Sequence, residues 1–129
     1  MAGMYLRFTT TAQDGDSHKA EGIFTAAYKL LDSGDLDSIE RERLREMLIW
    51  FSKNLPTPPK NFLAGRAIFW FRPSAKECLQ RVWEMVFMLR EYGTHVTVYK
   101  CPRLANISFR DRFQVAAYPS DLDGRIVIQ

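Results

Sequence analysis

The stretch Arg66–Cys101, RAIFWFRPSAKECLQRVWEMVFMLREYGTHVTVYKC, decides the fold. Ala67–Phe71 is a run of five apolar residues between Arg66 and Arg72. It is rich in aromatics and too short for a helix of its own, so it reads as a strand. Pro73 has no ladder donor and stops it. Ser74, three residues before Glu77, has the spacing of a capping box. Behind it Ala75, Cys78, Leu79, Val82, Met85, Val86 and Leu89 fall on one stripe at i, i+3, i+4, i+7 spacing, which predicts a helix. Gly93 suits the C′ position that closes it. His95–Cys101 then alternates, with Val96 and Val98 on one side and His95, Thr97, Tyr99 and Cys101 on the other. A strand, a helix and a second strand form a crossover unit in which the two strands run parallel.

Working outward toward the N-terminus, Met4–Thr9 alternates as a strand. Asp16 or Ser17 can cap a first helix running to about Asp32, with Ala20, Ile23, Phe24, Ala27 and Leu31 as its stripe and Gly34 as its stop. Asp37 with Glu40 can cap a second helix reaching about Asn54, whose stripe is Leu44, Met47, Leu48, Phe51 and Leu55. The short link predicts an antiparallel hairpin of these two helices. Leu55–Gly65, with Pro56, Pro58 and Pro59, reads as an extended loop. Toward the C-terminus, Ile107–Phe109 and Phe113–Tyr118 read as a hairpin turning at Arg110–Arg112. Pro119–Gly124 is a turn, and Arg125–Gln129 a short last strand or a docked tail.

The expected architecture is a mixed α/β or α+β fold in the order β-α-α-β-α-β-β. A single-layer mixed sheet of four or five strands carries three helices on one face. The 129 residues suffice for one domain with its own core, spanning 1–129. Met1–Gly3, ahead of a second methionine, reads as a cloning remnant. Two cysteines make no disulfide framework, and Cys78 belongs to a core stripe, so a cytosolic protein with reduced thiols is expected. No apolar run approaches the ~18 residues of a membrane span, and no signal peptide is visible.

Charge is uneven. Residues 1–65 carry 8 Lys and Arg against 9 Asp and Glu, and residues 66–129 carry 10 against 6, within a net charge of +3. That tilt permits anionic partners without the clustered basic run of a nucleic-acid footprint. Catalytic signals are weak. His95 and Cys101 lie six apart on one strand, about 20 Å at ~3.3 Å per residue, too far for a Cys–His pair. Asp14, Asp16 and His18 are metal-compatible types but lack the further ligands of a calcium loop, and they sit where a helix start favours Asp and Ser. Arg72–Lys76 has the outline of an anion site without a phosphate loop's glycines. We therefore assign no catalytic residue, no metal ligand and no cofactor.

What remains is surplus aromatic surface. Trp50 points away from the second helix's stripe, among Arg43, Glu46 and Lys53, and Ile49 is off-stripe too. Trp83 and Phe87 flank the third helix's stripe on one side, Met88 and Tyr92 on the other. Trp50, Ile49, Arg43, Trp83 and Phe87 are thus expected to bind a protein partner or a second copy, since Trp and Arg are favoured anchors. The alternative is a single-stranded nucleic-acid site on an open sheet face. There Tyr5, Arg7, Tyr99, Gln114 and Tyr118 would face outward, with Arg72 and Lys100 as flanking cations, while Phe113, Val115 and Ala117 would face the helices.

Overall fold

Helix boundaries follow local chemistry. In the computed structural model, β1 (Tyr5–Gln13), β2 (Ala20–Gly22), α1 (Ile23–Asp32), α2 (Ser38–Asn54), β3 (Ile68–Phe71) and α3 (Lys76–Glu91) are followed by β4 (Val96–Cys101), β5 (Asn106–Arg110), β6 (Gln114–Tyr118) and β7 (Ile126–Ile128). Residues 3–13, 20–56, 68–118 and 126–128 are described, by backbone alone at 11–13, 20–21 and 126–128. The expected Asp16 or Ser17 cap, the Asp14, Asp16 and His18 group, most of the Leu55–Gly65 loop and the Pro119–Gly124 turn lie outside them.

The Asp37 carboxylate accepts the Glu40 N–H at 2.8 Å and caps α2 as its sequence predicts. Gly93 adopts φ +90 after α3. Thr94 N–H reaches the Leu89 carbonyl and Gly93 N–H the Arg90 carbonyl, the paired bonds of a Schellman closure. The α3 start differs slightly from expectation. Leu79 N–H bonds the Ala75 carbonyl, so Ala75 holds the cap position, one residue after Ser74. The α1 start differs more. Ala20 belongs to β2, paired with Gln13 of β1, and Gly22 precedes the helix without a side-chain cap. A strand of three residues is too short for alternation to show.

The fold is α+β, and among the described residues it has three helices and one sheet in the order β5-β6-β3-β1-β4-β7, with β2 against β1. The strands joined by α3 are not neighbours, because β1 lies between β3 and β4. Every pair with a defined register, β1–β2, β1–β3, β3–β6, β4–β7 and β5–β6, is antiparallel. Of the expected last strand, Ile126–Ile128 is described and forms β7, paired with β4.

Two compact units are built from the chain. The first joins Met1–Arg7, Pro56–Leu79 and Val98–Gln129. In it Trp70 stands opposite Val115 and Ile68 opposite Ala117. Trp70, Cys101, Val115 and Ala117 form a buried cluster against which Tyr5, Tyr99, Leu104 and Ile107 pack. The Asp111 carboxylate accepts the Phe113 and Gln114 N–H groups and shapes the β5–β6 turn, and Arg72 donates to the Asp111 carbonyl at 2.9 Å. Gly3, expected to be a remnant, lies against Pro73, where a Cβ would come within 2.6 Å of the proline ring.

The second unit joins Phe8–Leu55 and Gln80–Thr97. Phe24 of α1 packs edge-on against Phe51 of α2 at 5.0 Å, late in the helix, as an antiparallel hairpin requires. α2 is antiparallel to α3 as well. Early Glu40 accepts from Tyr92 beyond the end of α3, and late Trp50 meets Arg81 near its start. Val82, Met85, Val86, Met88 and Leu89 are buried, as are Leu44, Met47, Leu48 and Phe51.

Candidate interaction surfaces

Helical spacing distributes the aromatic side chains of the second unit into two groups. Trp50 is half-buried, and the Arg81 guanidinium stacks over its ring, 4.4 Å from the centroid. The ring also lies perpendicular to Phe51, 5.2 Å between centroids. The side of α2 opposite its stripe is therefore not where Trp50 spends its ring. The indole turns toward α3, and a cation from that helix covers it, a contact favoured by the ring's negative face. Ile49 and Arg43 stay exposed on α2.

The second group runs along α3. Phe8 of β1 is buried and meets Trp83 edge-on at 5.1 Å. Trp83 is half-buried and lies 6.1 Å from Phe87. Phe87 is 63% exposed. The three rings form a series from core to solvent. On the wheel Phe87 falls opposite Cys78, Val82 and Leu89, so no neighbouring turn of α3 covers it. One group centres on Trp50 and Arg81, the other on Trp83 and Phe87.

The expected nucleic-acid face lies in the first unit. Tyr5 and Tyr99 are half-buried against the Trp70 cluster, and Arg7 stacks on Tyr99 at 5.8 Å. Tyr118 is exposed, but its strand is turned over relative to expectation. The β3–β6 register puts Val115 and Ala117, not Gln114 and Tyr118, on the side of Trp70 and Tyr99. Four consecutive residues of β6, Gln114–Ala117, are buried. A strand covered on both sides gives no alternation from which to read its faces. Arg72 is tied to the β5–β6 turn, and half-buried Lys100 alternates with Tyr99 and so faces the other side of the sheet.

The nucleophile candidates are held in structural roles. Burial, helped by the Asp111 and Glu77 carboxylates, pushes the Cys78 thiol up from 9.0 to about 11, away from thiolate character. Cys101 is buried and donates to the Arg103 carbonyl at 2.7 Å. His95 is exposed, its Nε2 3.3 Å from the Thr97 hydroxyl. Beside it a shallow groove of about 400 Å³ is lined by Lys29, Ser33, Asp35, Tyr92 and Thr94, which sequence reasoning missed because they come from three chain turns. Two of its hydroxyls are engaged within the fold: Ser33 donates to the Leu30 carbonyl and accepts from Asp35 N–H, and Tyr92 donates to Glu40. Among the described residues no three His, Cys, Asp or Glu side chains gather to hold a metal, and no helix is long and apolar enough to cross a membrane.

No protein-family model, no curated protein and no solved structure matches this chain.

Proposed function

We propose that the protein is a small interaction module that binds a protein partner through the outer side of α3, and that it has no catalytic activity of its own. One observation carries this: Phe87 is 63% exposed beside half-buried Trp83. A phenylalanine contributes nothing to solubility, and aromatic anchors dominate interface energetics. Ile49 and Arg43 are exposed on α2, while half-buried Trp50 is engaged by Arg81 and Phe51. Two buried free cysteines suit a reducing, cytosolic setting. A stacking site for single-stranded nucleic acid draws less support, because Tyr5 and Tyr99 are engaged in an apolar cluster.

A photo-reactive phenylalanine analogue placed at Phe87 tests this in extract of the native host, with the same group at exposed Thr25 of α1 as control. Irradiation should give a discrete adduct at 87 that untagged wild-type protein competes away. An adduct of twice the chain mass would identify the partner as a second copy. The same diffuse adducts at both positions would contradict an interaction surface at Phe87.

A further inference from the structure

We infer that the partner segment received by α3 is basic and amphipathic, an apolar anchor flanked by Lys or Arg; this rests on the interaction surface proposed above. On the outward stripe, Glu84 stands three residues before Phe87 and Glu91 four after it, and all three are exposed. At that spacing side chains are helical neighbours, with Cβ atoms about 5–6 Å apart. Whatever covers the Phe87 ring therefore comes within reach of both carboxylates. The same stripe runs back through neutral Gln80 to exposed Lys76 at the first turn of α3, about three helical turns before Phe87 and so not its neighbour.

The cations nearest in sequence are committed elsewhere. Arg81 stacks on Trp50, and Arg90 donates to the Val96 carbonyl at 2.9 Å. The stripe from Gln80 to Glu91 thus presents two negative charges on a chain whose net charge is +3. Net charge alone would favour an acidic partner. At physiological salt, however, charges beyond about 8 Å are largely screened, so the two neighbouring carboxylates outweigh the distant surplus. An acidic partner would face like charges at the rim, and a basic one is steered and held.

The probes are two amphipathic peptides of about 14 residues with Leu at i, i+3, i+4 spacing, one carrying Lys at the polar positions and the other Glu. Each is titrated at ~150 mM salt into the labelled protein, with amide shifts followed by NMR. The Lys peptide should perturb Gln80–Glu91 and lose this binding with Phe87→Ser. The double variant Glu84→Lys, Glu91→Lys should weaken it about tenfold or more, because rim charges change sign. Binding of the Glu peptide at Phe87 as tightly as the Lys peptide, or indifference of the Lys peptide to the double variant, would overturn the basic partner and leave the surface standing. Failure of both peptides to perturb Gln80–Glu91 would overturn the surface itself.

Discussion

Trp50 illustrates how a neighbouring helix engages a side chain that spacing alone leaves off the core stripe. Its ring lies under the Arg81 guanidinium and against Phe51, so truncation removes a cation–π contact and part of a helix–helix seam. Trp50→Ala should cost about 1–3 kcal/mol in urea unfolding, well above a surface substitution. A double-mutant cycle with Arg81→Gln should return a coupling of about 0.5–1 kcal/mol. Zero coupling would mean that the stack contributes nothing in solution. Cys78 offers a chemical check at the same scale. With its thiol pushed up to about 11 and buried, it should resist a thiol reagent at pH 8 in the native protein and react once urea is added. Rapid native labelling would show that the site opens readily.

α3 was the most legible element, and its inner side is where a single change should be decisive. Val82 is fully buried at the middle of the stripe. An unpaired carboxylate there should cost about 4 kcal/mol or more, comparable with a small domain's whole stability. Val82→Asp should therefore lose native circular dichroism, and a soluble, native-like variant would contradict the packing of α3. Its C-terminal end has a pH signature. The Tyr92 hydroxyl donates to Glu40, which raises its pKa from 10.0 to about 12. A folded pKa above the unfolded one gives stability that is complete below pH 10 and lost as pH rises toward 12. Wild type should be more stable than Tyr92→Phe at neutral pH, and the two should converge through that window. A constant gap would show that the phenol contributes packing alone. Where sequence reading failed, the elements were short or doubly buried. β2 has three residues, and β6 is covered at Gln114–Ala117, so neither displays the periodicity that betrayed α2 and α3.

Across the whole molecule, element order was legible because each helix and most strands carry their own period and stop signals. Strand order was not, since nothing local to β3 or β4 specifies that β1 lies between them. The same limit governs the surface. Residue spacing marked Trp50 and Phe87 alike as surplus to a core stripe, but only the neighbouring helix decides that Arg81 covers one. Phe87, at 63% exposure, is the most exposed aromatic among the described residues. Urea unfolding of Phe87→Ser tests this most directly. If the ring is held for a partner, stability should stay within about 0.5 kcal/mol of wild type, as for other surface substitutions. A loss of about 2 kcal/mol or more would show that the ring is buried within the monomer, and α3 would then have no outer side to offer.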